Sequence, residues 1–381
     1  MNILTRAFLS LAAVAAAPAA AFAQPAGLPA APVQPVEPVT ARPGPAPGDY
    51  VVHAIDVGTG LAIFVEGSDF TLLYDAGSND DDARGANNRV VAYLRAVRPD
   101  LRAIDHVVLS HPHKDHSELM SDVIEQYAVA NLWDSGAVNP ICSYRNLLAA
   151  AAARGVLYHN GIATGGAHSN AFAAQRCYGR PIPAGALDVP RADMAQRGRT
   201  ILLGDRASLT FLHADGSPQS SFNANSVVAR LTLGTRVILL PGDAEAGPRV
   251  APSTPPTARS VEGQLLRCCG ALLRADILVA GHHGSTTSSR ATFLDAVGAA
   301  HYIVSSGPTR YGSVTLPDAA VIDEFTRRGA VWRTDLNDAA CAANPAKIGR
   351  DADGRPGGCD NIRIAIDAAG NVTPEYSRRA D

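Results

Sequence analysis

From residue 49 onward, short apolar runs alternate with polar, glycine-containing breaks. Val51-Val52-His53-Ala54-Ile55, Leu61 to Val65 and Thr71 to Tyr74 read as strands, because runs of this length bounded by turn residues suit a pleated, buried surface. Asn88 to Val97 reads as a helix, and Val107-Val108-Leu109-Ser110 as a further buried strand that stops at a loop. The theme repeats from Thr200, through Thr200-Ile201-Leu202-Leu203, Leu209-Thr210-Phe211-Leu212-His213, Val237-Ile238-Leu239-Leu240 and Ile277-Leu278-Val279-Ala280. Strands interleaved with helices predict an α/β fold, and the pattern alone goes no further.

The first 48 residues follow different rules. Arg6 precedes an apolar run from Ala7 to Ala20, and Ala21-Phe22-Ala23 supplies small residues before Gln24. That is the layout of a cleaved export signal at 1–23. The alternative is an uncleaved anchor, but the run is shorter than the ~20 residues that span a bilayer. Residues 24–48 are dominated by Pro and Ala, a composition expected to form an extended tether. About 330 residues follow, more than a typical ~100–200 for one domain. Because the candidate site residues below are spread over most of that span, a single domain at 49–375 with insertions is expected.

The chemistry concentrates in His111-Pro112-His113-Lys114-Asp115-His116, directly after the strand ending at Ser110. A loop at a strand end can turn such closely spaced side chains toward one point, which a regular helix or strand cannot. Neutral imidazole nitrogen and carboxylate oxygen are ligands suited to zinc and similar divalent ions. Two later strands also end in ligand-type residues. Val237 to Leu240 runs into Pro241-Gly242-Asp243, where glycine permits a turn, and Ile277 to Ala280 runs into Gly281-His282-His283-Gly284-Ser285. An earlier strand ends in Asp75-Ala76-Gly77.

These residues resemble the metallo-β-lactamase superfamily, whose HxHxDH signature the first run matches. Within it the chain resembles the hydrolase domain of the ComEC competence DNA-uptake proteins. The landmarks occur in order: Asp56-Val57-Gly58-Thr59-Gly60-Leu61, the metal run, Asn225-Ser226-Val227-Val228, Gly242-Asp243, His282 to Ser285, and Arg333-Thr334-Asp335. Departures are present. Thr59 and Leu61 replace Gln and Asp, and Tyr311-Gly312-Ser313 lacks the usual His after Tyr-Gly, so no catalytic role is carried to that segment.

The resemblance implies a four-layer αβ/βα sandwich of metallo-β-lactamase type holding two divalent metal ions, zinc by default with manganese as the alternative. It assigns His111, His113 and His213 to one ion and Asp115, His116 and His283 to the other, with Asp243 bridging. His213 has two open readings, a ligand or a strand-end histidine bonded to backbone. His283 is favoured as ligand and His282 as a neighbouring or substrate-facing group, although sequence does not separate them. Asp115 and His282 are the expected catalytic groups, and Asp75 is expected to orient a ligand histidine. A two-metal centre suits hydrolysis, by polarising the electrophile and lowering the pKa of water. A carboxylate at position 243, where zinc β-lactamases use Cys, favours phosphodiesters of small molecules or nucleic acid over antibiotics. Hydrolysis of carboxylic esters, lactones or amides, and a metal-binding module without turnover, are the competing readings. The formal charge of −3 offers no basic footprint for nucleic acid.

Two further features shape the expectations. The insertion at 142–199 holds seven Arg and no Lys against Asp188 and Asp193, an excess that steers anions or only solvates a surface. Ala251 to Ser260, rich in Pro and Thr, reads as a mobile loop near Asp243. Six cysteines in an exported chain predict disulfides, with Cys341–Cys359 and Cys142–Cys177 as the natural pairs. Cys268 and Cys269 are neighbours and are expected to remain thiols or pair elsewhere. The protein is expected in the periplasm or secreted. N-terminal sequencing of exported material should read Gln24 first; retention of residues 1–23 would replace cleavage by an anchor.

Overall fold

The computed structural model describes residues 41–161, 168–189, 191–194, 197–343 and 354–377. The expected signal at 1–23 and residues 24–40 of the expected tether lie outside the described residues. Two large sheets form the frame. In the first, Tyr50–Ala54, Ile63–Glu66 and Thr71–Tyr74 pair antiparallel, and Ala103–Leu109, Ala128–Asp134, Leu157–Asn160 and Arg191–Met194 continue as parallel strands. Asn361–Ile366 and Val372–Ser377 close its other edge. In the second, Thr200–Gly204, Ala207–His213, Val228–Leu233 and Arg236–Leu240 form a meander, followed by the parallel strands Ile277–Val279, His301–Val304 and Ala330–Arg333.

Both faces of each sheet are buried, so consecutive residues enter different layers. Leu72 and Tyr74 pack into a central cluster with Leu209, Leu231, Ile238 and Leu240 of the other sheet. Leu73 between them turns outward, beneath the helices Arg89–Val97, Met120–Gln126 and Cys142–Arg154. Leu239 and Leu278 turn to the opposite side, beneath Val261–Cys268, Ala291–Val297 and Ala319–Arg328. The result is the metallo-β-lactamase-type αβ/βα four-layer sandwich.

The structure differs from the sequence reading in several places. The expected insertion at 142–199 begins with the helix Cys142–Arg154 and the strand Leu157–Asn160, whose Tyr144, Leu147, Leu148 and Tyr158 join the first outer core. Their alanine-rich stretch carried no strong amphipathic signal, which hid them. The peripheral part of 142–199 is the hairpin His168–Phe172 with Gly185–Val189 and the smaller hairpin Gln175–Cys177 with Arg180–Ile182. The expected tether ends before residue 48, since Arg42 N–H donates to Val97 O at 3.0 Å. The segment Ala251 to Ser260 is pinned at its start, where the buried Arg290 guanidinium donates to Pro248 O (2.5 Å), Val250 O (2.7 Å) and Ala251 O (3.0 Å).

Cys142–Cys177 and Cys341–Cys359 are bonded as expected, and Cys268–Cys269 are bonded to each other, contrary to expectation. That pair stands where the helix Val261–Cys268 gives way to the 3-10 turn Gly270–Leu273, so the backbone has left its helical path between the two sulfurs. No helix among the described residues is long and apolar enough to cross a membrane. Peptide mapping without reductant should recover these three pairs and no others. Leu240→Ala, which empties the central core beneath the Gly242-Asp243 turn, should lower unfolding stability by about 2–5 kcal/mol in denaturant titration.

Candidate metal centre

The site residues stand at the C-terminal ends of parallel strands. Thr71–Tyr74 delivers Asp75, Ala103–Leu109 delivers Ser110 and His111, Arg236–Leu240 delivers Asp243, Ile277–Val279 delivers His282 and His283, and His301–Val304 delivers Ser305. Side chains from both sheets therefore converge on one edge of the sandwich. Close backbone approach makes this feasible. Gly242 has φ +55°, and a Cβ there would lie 2.7 Å from the Ser110 side chain. A Cβ on Gly77 would lie 2.2 Å from the His116 backbone nitrogen. Asp75, His282 and His283 also have positive φ (60°, 49° and 53°), a conformation that non-glycine residues hold only when their surroundings enforce it.

Two ligand-type groups result: His111, His113 and Asp243, and Asp115, His116 and His283. Asp243 is nearly fully buried and divides its oxygens between them. Oδ2 lies 3.6 Å from His111 Nε2, and Oδ1 lies 3.2 Å from His116 Nε2 and 3.6 Å from His283 Nε2.

The outer partners decide which imidazole nitrogens face inward. Asp75 accepts from Ser110 N–H and Ser110 O–H, each at 2.7 Å, and its Oδ2 also meets His116 Nδ1 at 2.8 Å. That nitrogen carries the proton, leaving a lone pair on Nε2. His283 Nδ1 faces the Ser305 carbonyl at 2.9 Å, so its Nε2 is also a lone pair. Ser110 Oγ, having given its proton to Asp75, accepts from His111 Nδ1 at 3.0 Å. The two lone pairs of His116 and His283 then face each other at 3.2 Å, and His111 Nε2 meets His113 Nδ1 at 2.9 Å. Asp243 Oδ1 is buried and faces His116 Nε2 and His283 Nε2. Lone pairs and a carboxylate oxygen this close repel unless a cation lies among them. The donor set thus fits divalent ions, with Asp75 and Ser305 in the orienting positions that metal-bound histidines require.

The charge balance without an ion agrees. Burial opposes charge on His116, but Asp243 and Asp75 on either side outweigh it and hold its pKa well above the usual value. Burial, with His116 adding to it, pushes His111 well below. Burial alone would raise the Asp243 carboxyl, but the surrounding histidines, His116 foremost, hold it well below. A proton on His116 does part of the work of a cation.

His213 is a correction: the structure places it in neither group. Its ring lies outside both groups, with Nδ1 2.7 Å from Ser226 O. His282 stands beside the first group instead, with Nε2 3.8 Å from Asp243 Oδ2 and Nδ1 2.7 Å from Thr287 Oγ1 and 3.3 Å from Glu245 Oε1. His283, and not His282, lies in the second group. Asn225 donates to Asp215 O and Ser217 O, while Ser226 Oγ accepts the Asp243 N–H at 3.1 Å.

Several contributors escaped sequence reading. Asn79 Nδ2 and Tyr311 O–H both donate to Asp115 Oδ2. Glu245 and Asn223 adjoin His282, and Phe222 meets the His113 ring edge-on. Glu245 had a signal, two residues beyond Asp243, and Tyr311 stood in the Tyr-Gly pair to which no role was carried; the others come from distant segments.

Residues 55–133 match the family model of the metallo-beta-lactamase superfamily, a segment that includes the Asp56–Leu61 turn, Asp75 and the His111–His116 run. The competence protein ComA of Neisseria gonorrhoeae is 26% identical over 303 residues, 79% of this chain. The chain spans about a third (33%) of that relative's length. Among solved structures, the metallo-beta-lactamase fold protein YhfI of Bacillus subtilis shares 14% identity at a TM-score of 0.40, over 76% of this chain and 97% of that one. The short form of human tRNase Z shares 13% identity at a TM-score of 0.37, over 66% and 92%. The resemblance to the superfamily, and within it to ComEC-like competence proteins, stands on the family match and the curated relative.

His213→Ala should leave zinc affinity unchanged by calorimetry, because its ring stands outside both groups. Asp75→Ala, which frees His111 and His116 to reorient, should lower it about 10–100-fold. A loss in the first variant matching that in the second would return His213 to the ligand set.

Proposed function

We propose that this protein is an exported, metal-dependent hydrolase of phosphodiesters. The observation that carries the reading is the split carboxylate of Asp243, with one oxygen toward each ligand group. That arrangement suits two ions held side by side by His111, His113, Asp115, His116, His283 and Asp243. Bound there, divalent ions would supply Lewis-acid polarisation of a phosphoryl oxygen and water of lowered pKa.

The chain's own residues supply the rest. Thr287 and Glu245 hold Nδ1 of His282, and its partly exposed ring aims Nε2 toward the first group. It is positioned to hold or donate a proton at the leaving oxygen. Zinc is the default ion, and manganese suits the carboxylate-rich half. The likeness to ComA, a competence protein, supports a nucleic-acid phosphodiester, and a small-molecule diester has the same chemistry. The three disulfides are compatible with the periplasm or the extracellular space.

The arginine-bearing hairpin supports capture of an anion. Cys142–Cys177 ties it to the start of the helix Cys142–Arg154, where Ser143 Oγ accepts from the Ser117 hydroxyl at 2.8 Å, next to His116. The Arg84 guanidinium lies 3.9 Å over the Tyr178 ring and bonds Glu118, just beyond His116 in sequence. Arg176 and Arg180 are exposed on this hairpin.

Purified protein loaded with zinc or manganese should cleave bis-p-nitrophenyl phosphate, and Asp243→Ala should abolish this. With an anionic substrate kcat/KM should fall with salt, as screening shortens from ~10 Å at 0.1 M to ~3 Å at 1 M. The double change Arg176→Ser, Arg180→Ser should flatten that dependence and spare kcat. The acidic net charge favours a second reading, a hydrolase of neutral esters or lactones. Turnover of those without phosphodiester cleavage under either metal would establish it instead.

A further inference from the structure

We propose that Asn79 and Tyr311 form a clamp that positions Asp115 for the second ion, so that the β-hairpin carrying Tyr311 governs affinity at that ion alone. The inference rests on the two-ion reading above.

Asp115 sits in the short helix Lys114–Ser117, and its backbone carbonyl accepts Leu61 N–H at 3.0 Å. That bond fixes the main chain but leaves the carboxylate free to turn about its side-chain torsions. Two donors reach the same oxygen, Oδ2: the Tyr311 hydroxyl at 2.7 Å and Asn79 Nδ2 at 3.1 Å. Asn79 Nδ2 also donates to the Tyr311 oxygen at 2.9 Å. The three groups form a closed triangle. The Asn79 amide faces both oxygens, and the phenol hydrogen goes to Asp115. This oxygen is also the one that faces His283 Nε2, at 3.7 Å. Orientation of Asp115 relative to its fellow ligand is therefore set by two side chains that are not ligands.

Both donors are delivered from outside the metal loop. Asn79 follows the Asp75-Ala76-Gly77 turn, with its N–H on Thr59 O at 2.7 Å. Tyr311 lies on the small hairpin Arg310–Tyr311 with Val314–Thr315. Thr309 moors that hairpin, its N–H donating to Thr59 Oγ1 at 2.9 Å and its hydroxyl to Asp80 Oδ1 at 2.6 Å. Thr59, which stands where related sequences carry Gln, is thus the anchor of the hairpin and of Asn79. The Tyr311 residue is 40% exposed. Its ring adds little to the core, which separates its bond to Asp115 from any duty in folding.

The test is zinc titration of the full chain by calorimetry. The step abolished by Asp115→Ala marks the second site. Tyr311→Phe keeps the ring and removes the donor, and Asn79→Ala removes the other corner. Each should weaken the marked step about 10–100-fold and leave the other step unchanged. The double variant should lose less than the product of the single losses, because the corners share one network. The melting temperature of the metal-free protein should not move in Tyr311→Phe. If the wild type binds two ions and both variants titrate like it or more tightly, the clamp is overturned while the two-ion reading stands. Equal weakening of both steps assigns the effect to the fold and likewise overturns the clamp. A wild type that takes up one ion removes the two-ion reading and the clamp together.

Discussion

A buried carboxylate from one sheet surrounded by imidazoles drawn largely from the other is the constraint on which the rest of the site depends. Asp243 arrives at the end of Arg236–Leu240, while His111, His113 and His116 come from the loop after Ala103–Leu109. An anion this deep is unfavourable unless charge or hydrogen-bond donors surround it. Without an ion, charge on the surrounding imidazoles must meet that need, His116 foremost. The two sheets must therefore hold a fixed separation and register at this edge, and the central core between them supplies that rigidity.

Behind the ligands lies a layer of groups whose only visible task is orientation. Asp75 aims His116 directly and His111 through Ser110. Ser305 O aims His283, Thr287 and Glu245 aim His282, and Asn79 and Tyr311 aim Asp115. His111 and His116 share Asp75, while His283, His282 and Asp115 are held from other strand ends and loops. Backbone strain occurs in the same places, with Asp75, His282 and His283 all in the left-handed region. A scaffold that tolerates such strain has to be over-determined elsewhere, and both faces of both sheets are packed.

Two peripheral hairpins adjoin the centre. Cys142–Cys177 holds an arginine-bearing hairpin close to the metal loop, and Thr59 with Asp80 holds the Tyr311 hairpin over Asp115. The two are attached by different chemistry, a covalent bond in one case and hydroxyl hydrogen bonds in the other. Removing either would leave the metal ligands on their strands but change what surrounds the opening.

Much was legible in the chain itself. Apolar runs ending in Asp, His or Gly-Asp announce strands that deliver polar residues to one edge, and the six-residue His/Asp run needs no partner to be recognised. Those signals are local, set by side-chain periodicity and ligand chemistry within a few residues. Which histidine belongs to which group was not local. His213 and His282 both follow apolar strands, and only packing shows that one ring is tied to Ser226 O while the other turns toward Asp243. The helix Cys142–Arg154 read as insertion because alanine marks no face, yet the first sheet needs it as cover. The pairing of Tyr311, noted only for its Tyr-Gly sequence, with Asn79 was silent too: 232 residues separate them. A hydrogen bond across that distance is decided by how the sheets stack, not by any pattern along the chain.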